Sequence, residues 1–352
     1  MKSPLPAGSS PTPCGKANGG LPRLDRLKRF VPLAAVVASV GLAYSTIVEP
    51  RRLRAVAYTL LVPNLPPTLA GLRIAHLTDF HVGMRGTPPS VLARAVARAV
   101  AWRPDLALLT GDFVHRGRWL PEADLFRGLA AEAPTYAVLG NHDSWGTSHE
   151  MDRIAAALED SGVTILRNRA TTVRLRDRGE IVLVGVEDPS LQRDDLERAM
   201  VGLPAAPEPC RPTILLAHAP EIADRAPEGR FALIVSGHTH GGQLRFSPVQ
   251  HRTFLDIGMI AGGLVSPYAR GAWLVRGNPL YVNSGLGLSG LPLRFLAPPE
   301  VVLFTLQPAP EGADPVINPF VRAVPDAPRV RRPCQPGTTK APLPGSRRGA
   351  SS

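Results

Sequence analysis

Short apolar runs alternate with longer stretches of helical spacing along residues 50–307. Such alternation is typical of α/β domains, in which helices cover buried strands. It predicts an α/β fold with seven strands and three helices in this part of the chain. The strands are expected at residues 72–77, 106–109, 136–139, 181–186, 214–217, 231–235 and 281–282, and the helices at residues 90–102, 122–131 and 148–160.

The N-terminal end has a different pattern, in which an uncharged apolar run of 19 residues at positions 30–48 follows a Pro-, Gly- and Ser-rich basic segment at positions 1–29. About 20 apolar residues suffice to span a bilayer, so we predict a membrane anchor. A buried core helix is one alternative, but it would be amphipathic and would seldom follow a basic cluster. Cleavage as an export signal is the other, because Gly41 and Ala43 are small enough for a signal-peptidase site.

The formal charge of +11 lies at the two ends of the chain. Residues 55–307 contain 24 Lys and Arg and 24 Asp and Glu, whereas residues 1–54 carry +7 and residues 308–352 carry +4. A nucleic-acid-binding domain would carry a basic folded surface, so no nucleic-acid partner is expected. Residues 308–352 are rich in Pro, Arg, Gly and Ser and are predicted to be a disordered tail. Cys14, Cys210 and Cys334 have no zinc-type spacing.

Five of the predicted strands run into side chains that bind metals. The residues that follow these strand ends are Asp79 and His81, then Asp112, then Asn141, His142 and Asp143, then His218, and last His238 and His240. Strand ends of an open α/β sheet deliver side chains into a common crevice, so we expect these residues to converge. Gly111, Gly140 and Gly237 precede polar members of the set, as expected where the backbone bends sharply or approaches the site closely.

The chemistry of this set favours a pair of divalent metal ions. Imidazole, carboxylate and amide ligands together suit Mn, Fe, Co or Zn better than Ca or Mg. Seven ligands exceed the needs of one ion, and they predict two ions about 3.5 to 4 Å apart that share one carboxylate. Any one of these histidines alone would more often be an ordinary core or surface residue. His76, His115, His149 and His251 lie outside the set and are expected to be ordinary in this sense.

The five blocks, in this order, resemble the signature of the calcineurin-like metallophosphoesterase superfamily over about residues 50–307. The block at residues 72–79, the block at 237–243 and Asn283-Ser284-Gly285-Leu286-Gly287 are similar to its bacterial membrane-associated or exported phosphodiesterases. Two departures are Phe80, where leucine is commoner, and His115, where an acidic residue often follows. The resemblance implies a metallophosphoesterase-type β-sandwich of two mixed sheets flanked by helices, here with an N-terminal transmembrane segment.

The resemblance also implies a role for each residue of the set. Asp79, His81 and His240 would hold the first ion, Asn141, His218 and His238 the second, and Asp112 would bridge them. His142 would contact the phosphate and assist the leaving group, and Asp143 would orient the His142 ring.

A metal-dependent hydrolase of phosphodiester or pyrophosphate bonds, using a hydroxide between the two ions, is therefore the predicted function. Lipid-linked and nucleotide-linked phosphodiesters are both candidate substrates, and the metal motifs do not choose between them. A catalytically silent, membrane-anchored binding module is the alternative, but such a module would be expected to have lost at least one ligand. The apolar residues at 246–277 either face acyl chains or form a packed hairpin; they are Phe254, Ile257, Met259, Ile260, Leu264, Tyr268 and Trp273.

The charges that flank the apolar run predict its orientation. Six Lys and Arg precede the run, and three, Arg51, Arg52 and Arg54, closely follow it. Because positive residues favour the cytoplasmic side, we expect a single-pass protein of the cell membrane whose catalytic domain lies outside the cytoplasm. Its expected partners are a phosphoester substrate and the lipid bilayer.

Overall fold

A computed structural model of the chain describes residues 22–115, 124–145, 147–208, 211–245, 266–310 and 316–323. Thirteen strands occur within these ranges. In chain order they are β1 (Arg54–Val62), β2 (Arg73–Leu77), β3 (Leu106–Thr110), β4 (Thr135–Val138), β5 (Val163–Ile165), β6 (Arg169–Leu175), β7 (Gly179–Gly185), β8 (Thr213–Leu216), β9 (Leu233–Ser236), β10 (Gly271–Val275), β11 (Asn278–Val282), β12 (Glu300–Pro308) and β13 (Val316–Ala323).

The strands form two mixed sheets. The first has seven strands in the order β13-β1-β12-β2-β3-β4-β5, and the second has six in the order β10-β11-β9-β8-β7-β6. Strands β2 to β5 are mutually parallel, as are β7, β8, β9 and β11, whereas antiparallel strands lie toward the edges. This arrangement confirms the predicted α/β fold of two mixed sheets.

Six helices accompany the sheets in the described residues. They are α1 (Pro22–Ala43), α2 (Pro89–Ala101), α3 (Asp124–Glu132), α4 (Asn141–Ser144), α5 (Ser148–Asp160) and α6 (Leu196–Ala199). The start of α5 follows from its sequence, because Thr147 accepts a hydrogen bond from the Glu150 backbone nitrogen while Glu150 accepts one from the Thr147 nitrogen. This reciprocal capping satisfies two otherwise unpaired donors and fixes the first turn.

One hydrophobic core lies between the two sheets and another between the first sheet and its helices, because successive residues of a strand point to opposite faces. Ile74 of β2 packs in this inter-sheet core with residues of the second sheet such as Leu216. The next residue, Ala75, faces the other way and packs with residues of α2 and α3 such as Leu92 and Phe126. Because both faces of the central strands are covered, their sequences are continuously apolar rather than alternating.

The apolar runs did not reveal every strand, and β6 shows why. Its sequence alternates polar and apolar residues, with only Val173 and Leu175 buried, because it lies at the edge of the second sheet. Strand β13 corrects a second expectation, since it lies within the predicted disordered tail and pairs antiparallel with β1. The edge of β1 offers unpaired backbone groups to this strand, whose sequence VINPFVRA is a short apolar run inside the otherwise polar tail.

The N-terminal helix is long and apolar enough to cross a membrane. Helix α1 continues through two short helical turns to Arg51, and the 20-residue segment Pro32–Arg51 has the required length and composition. Only 11% of that segment is buried against the rest of the chain. Six of its large apolar side chains are more than half exposed, namely Leu33, Val36, Val37, Val40, Leu42 and Ile47.

Part of the predicted apolar loop can be placed. Strands β10 and β11 form a hairpin, in which Trp273 is half-buried and its ring centroid lies 5.4 Å from that of Tyr268. The Tyr268 hydroxyl donates a 2.5 Å hydrogen bond to Asp224. Both aromatic rings therefore belong to the packed hairpin. Outside the described residues lie Phe254, Ile257, Met259, Ile260, Leu264, His251 and all three cysteines.

Candidate metal centre

The loops that follow β2, β3, β4, β8 and β9 bring the predicted ligands together where the two sheets meet. All of these side chains are at least 93% buried; they are Asp79, His81, Asp112, Asn141, His218, His238 and His240. Backbone hydrogen bonds join the loops, because the Asp79 nitrogen donates to the Gly111 oxygen at 3.0 Å and the Gly237 nitrogen donates to the His218 oxygen at 3.0 Å.

Four of the seven side chains form a first ligand set. The Nε2 atoms of His81 and His240 are 3.0 Å apart. His81 Nε2 lies 3.3 Å from Asp112 Oδ2, and His240 Nε2 lies 3.4 Å from Asp79 Oδ1. All four ligand atoms lie within 4.8 Å of one another. A single cation would contact every member of this set.

A second set forms on the other side of Asp112. Asn141 Oδ1 is 3.0 Å from His218 Nε2 and 3.0 Å from His238 Nδ1. The two ring nitrogens are 3.1 Å apart. Asp112 Oδ2 lies 3.2 Å from His218 Nε2, so the same carboxylate oxygen borders both sets.

The hydrogen bond of His218 to Thr110 indicates that the second set suits a cation. His218 Nδ1 lies 2.7 Å from the Thr110 carbonyl oxygen, which can only accept a hydrogen bond. A proton therefore sits on Nδ1, and Nε2, beside the oxygens of Asn141 and Asp112, is the nitrogen that takes either a cation or a second proton. Metal-binding histidines use this tautomer and this kind of outer partner.

When no cation is bound, a second proton on His218 supplies a positive charge beside the Asp112 carboxylate. Burial alone would lower the pKa of His218, but the Asp112 carboxylate outweighs it and holds that pKa well above the usual range. Burial likewise would raise the pKa of Asp112, but the charges of His218 and His81 hold it well below the usual range. Protons and metal ions therefore compete for the same position.

Burial is the main cause of the pKa shifts of three other predicted ligands. Burial lowers the pKa of His238 to about 3 and holds the pKa of His240 well below its usual range. Burial also raises the pKa of Asp79. Neutral imidazoles keep a lone pair available, so the two histidines are ready to bind a cation near neutral pH.

Most of the predicted ligand residues have a strained backbone conformation. Five of the seven predicted ligands have left-handed backbone conformations, with φ of 52° at Asp79, 45° at His81, 53° at Asp112, 70° at His238 and 52° at His240. Each such residue other than glycine costs about 1 to 2 kcal/mol. Strain of this kind clusters at functional sites, where the surrounding structure or a ligand offsets it.

A glycine permits the close approach of the β3 and β4 loops. Gly111 has a φ of +90°, and a Cβ atom there would lie 2.5 Å from the Gly140 backbone nitrogen. The approach lets Asp112 Oδ1 accept a 2.9 Å hydrogen bond from the His142 backbone nitrogen. This hydrogen bond fixes the orientation of the Asp112 carboxylate.

His142 lies at the edge of the two ligand sets. Its Nε2 atom is 3.3 Å from the Ser289 hydroxyl, and its ring centroid is 3.7 Å from that of Trp145. Burial lowers the pKa of His142 to about 3, so its imidazole is neutral near pH 7. Ring nitrogens of His81, His115 and His142 also come within 4.8 Å of one another, which offers a different ligand grouping.

The environment of Asp143 differs from the one predicted. One carboxylate oxygen accepts a 3.1 Å hydrogen bond from the Val114 nitrogen, and the other accepts a 2.9 Å bond from the Gly140 nitrogen. The Nδ1 atom of His142 has no hydrogen-bond partner among the described residues. Asp143 therefore holds the loop backbone rather than the His142 ring. Burial raises its pKa to about 7.

The histidines outside the set do not all behave alike. His76 is a core residue as expected, with Nε2 2.9 Å from the Thr110 hydroxyl, and His149 is exposed on α5. His115, in contrast, is half-buried and stacks on His142 with ring centroids 5.2 Å apart. His115 therefore belongs to the surroundings of the site.

Arg294 is a residue of the site that the sequence did not reveal. It is fully buried, and its Nη2 atom lies 3.3 Å from His240 Nδ1 and donates to the Gly287 carbonyl at 2.6 Å. Its Nη1 atom donates to the Ala297 carbonyl at 2.8 Å. A lone arginine 54 positions after His240 carries no local pattern. The preceding Asn283 to Gly287 block was the only nearby signal.

Comparison with known proteins identifies the family. A family model described as calcineurin-like phosphoesterase matches residues 72–242, a stretch that contains all seven predicted ligands. The phosphodiesterase YaeI of Escherichia coli strain K12 is 31% identical over 240 residues, which cover 65% of this chain and 85% of YaeI. The chain belongs to the calcineurin-like phosphoesterase family. This membership confirms the predicted enzyme class, a metallophosphoesterase.

Two further relatives extend the similarity beyond the family model. The metallophosphoesterase YkuE of Bacillus subtilis strain 168 is 28% identical over 285 residues, which cover 78% of this chain and 92% of YkuE. A transmembrane protein with metallophosphoesterase domain from Bos taurus is 30% identical over 320 residues, which cover 84% of this chain and 66% of that protein.

Proposed function

We propose that this phosphoesterase hydrolyses phosphodiester or pyrophosphate bonds with two divalent metal ions. One observation carries the proposal: Asp112 Oδ2 lies 3.3 Å from His81 Nε2 in the first ligand set and 3.2 Å from His218 Nε2 in the second. A carboxylate oxygen between two ligand sets is what a site of two ions with a shared ligand requires. Asp79, His81 and His240 would complete the first ion's ligands, and Asn141, His218 and His238 the second's.

The donor atoms favour Mn, Fe, Co or Zn, because four of the seven ligands are imidazoles. Bound ions of this kind supply a hydroxide nucleophile near neutral pH and stabilise charge on the phosphoryl oxygens. Asn141 contributes a neutral oxygen, so Asp79 and Asp112 are the only anionic ligands. This limits the repulsion between the site and an anionic substrate.

We assign His142 to the substrate rather than to an ion. Its ring is neutral without a ligand, because burial lowers its pKa to about 3. A phosphate anion beside the ring favours the protonated form. A proton gained in this way would be available to the leaving oxygen, as general acid catalysis requires.

Hydrolysis of a simple soluble diester tests the proposal. The full-length protein, purified in detergent and stripped by a chelator, should hydrolyse bis(4-nitrophenyl) phosphate only after Mn²⁺ is added. Asp112→Ala should remove this activity, and Asp124→Ala should retain it, because the Asp124 side chain is 80% exposed on α3. A protein that binds Mn²⁺ but shows no hydrolysis would instead be the silent binding module.

We also propose that the helix Pro22–Ala43 and its continuation anchor the enzyme in the cell membrane, with the catalytic domain outside the cytoplasm. The exposed apolar surface of α1 supports anchoring, and so does the transmembrane relative from Bos taurus. The charge difference around the apolar run supports the orientation. A reporter fused to the C-terminus should be active outside the cytoplasm, and activity only in the cytoplasm would reverse the orientation. A mature N-terminus near residue 44 would show export with signal cleavage instead.

A further inference from the structure

The end of the apolar helix is fixed to the catalytic domain. Ser45 is buried, and its carbonyl oxygen accepts a 2.9 Å hydrogen bond from the Arg294 backbone nitrogen. The Tyr44 ring meets the Phe295 ring edge-on, with centroids 6.2 Å apart. The Arg51 carbonyl accepts a 3.2 Å hydrogen bond from the Arg94 side chain. The exposed apolar part of the helix therefore leaves the domain at the segment around Arg294.

The same arginine reaches the metal centre. The backbone nitrogen of Arg294 binds the helix end, while Nη2 of its side chain lies 3.3 Å from Nδ1 of the predicted ligand His240. Arg294 therefore contacts both the end of the helix and a member of the first ligand set. The polar region of a bilayer is about 5 to 8 Å thick on each side, so a helix that spans the membrane would hold the metal centre near the lipid headgroups.

Two exposed apolar side chains lie on the segments that contact the predicted catalytic histidine; we call them the apolar rim. Trp145 is 52% exposed and packs on His142, and Leu291 is 42% exposed. Leu291 follows closely after Ser289, whose hydroxyl is 3.3 Å from His142 Nε2. Single exposed apolar residues are common, but Trp145 contacts His142 directly, and Leu291 lies two residues from Ser289 and three residues from the helix contact at Arg294. Tryptophan is moreover enriched at membrane interfaces.

A cleft with a different chemistry begins at the predicted ligand His238. Its volume is about 570 Å³, and six of its seven lining residues are polar or charged. The lining includes Ser190, Gln192, Glu221 and Arg225. This cleft can receive a hydrophilic substituent of the phosphate, whereas the apolar rim cannot.

We propose that the substrate is a membrane lipid, an amphipathic phosphodiester or pyrophosphate with an acyl or isoprenoid group on one side and a polar group on the other. This inference rests on the proposed hydrolase function and names its substrate class. The lipid part contacts the apolar rim beside His142, and the polar part enters the cleft at His238. Water attacks the phosphorus, one P–O bond breaks, and the displaced oxygen takes up a proton.

Two esters with the same leaving group test the proposal. The full-length protein is reconstituted with Mn²⁺ in phosphatidylcholine vesicles. It is assayed on a diacylglycerol 4-nitrophenyl phosphate embedded in those vesicles and on water-soluble methyl 4-nitrophenyl phosphate. We expect a higher kcat/KM for the lipid ester. Leu291→Gln should lower the ratio of the two kcat/KM values about tenfold, the effect of losing an apolar contact to a substrate.

The matched control is Leu274→Gln on β10, because Leu274 is also exposed, at 57%, but is not part of the apolar rim. Its ratio should equal that of the unmodified protein. A ratio that Leu291→Gln leaves unchanged, or a soluble ester that is preferred, would overturn the lipid substrate and leave the hydrolase function standing. Hydrolysis of neither ester would overturn both.

Discussion

Two histidines close together in the chain show how the strand interior differs from the strand end. His76, inside β2, is fully buried, and its Nε2 atom pairs with the neutral Thr110 hydroxyl at 2.9 Å. His81, five residues later, is equally buried, yet its Nε2 atom lies 3.0 Å from the same atom of His240 and 3.3 Å from an Asp112 oxygen. Burial alone therefore does not distinguish a ligand. Converging lone pairs and a left-handed backbone do.

The difference has an energetic consequence. At His76 the interior pairs a buried ring nitrogen with a neutral hydroxyl, which offsets part of the cost of burial. The strand ends bring two carboxylates and four imidazoles together, and such a group is costly to bury unless a cation compensates it. Metal binding should therefore stabilise the folded enzyme as well as enable catalysis.

Removal of the shared carboxylate should give the largest effect. Asp112→Ala takes away the one oxygen that borders both ligand sets, so at least one ion should be lost or bound more weakly. We expect the rate of diester hydrolysis to fall by about 10³ or more, the size of effect seen when a group that stabilises transition-state charge is deleted. Elemental analysis and kinetics check this, with Asp124→Ala as control. If the variant keeps full activity and two ions, Asp112 does not bridge the ions.

Substitution of His142 should separate chemistry from metal binding. His142→Ala should keep both ions and lower kcat by about 10² to 10⁴, the usual contribution of a general acid. The loss should be smaller for nitrophenyl esters than for alkyl esters, because a good leaving group needs less protonation.

Two other outcomes would change the role of His142. Loss of an ion in His142→Ala would make it a ligand, in the grouping with His81 and His115. An equal rate loss for good and poor leaving groups would mean that it only positions the phosphate.

A smaller effect, on thermal stability, is expected at Arg294, which donates hydrogen bonds to backbone carbonyl groups next to the ligand sets. Arg294→Met leaves the carbonyl groups of Gly287 and Ala297 without their donor. Breaking such a buried network costs about 3 kcal/mol, which corresponds to a fall in Tm of about 6 to 12 °C. Arg174→Met, at a side chain that is 87% exposed, is the matched control. Equal Tm values for the two variants would contradict a supporting role for Arg294.

The smallest effect concerns the strand interior. Burial lowers the pKa of His76 from 6.5 to about 3. The folded state therefore binds fewer protons than the unfolded state, and the free energy of unfolding decreases as the pH falls below 6.5. Between pH 7 and pH 5 this amounts to about 2 kcal/mol. The free energy of unfolding of His76→Gln should not include this pH-dependent decrease. Denaturant unfolding at both pH values checks this. If the two proteins differ in free energy of unfolding by the same amount at pH 7 and at pH 5, His76 is not held neutral by burial.

The two regions also differ in how well the sequence predicted them. Ligands such as Asp79 and His218 directly follow buried apolar strands, so their order and spacing along the chain reveal the site. Arg294 reaches His240 across 54 positions, and Asp143 bonds the distant Val114 nitrogen in addition to the Gly140 nitrogen at the start of its own helix. Strand β13 is a short apolar run inside a polar, Pro-rich tail, and it pairs with the free edge of β1, which composition alone did not reveal.

The metal content of the full-length protein tests the central claim most directly. The enzyme is stripped by a chelator, reconstituted with Mn²⁺, freed of excess ion and examined by elemental analysis, with circular dichroism to confirm folding. Because seven ligands form two sets around Asp112 Oδ2, the account predicts two ions per chain. One ion or none per folded chain would contradict the two-metal site.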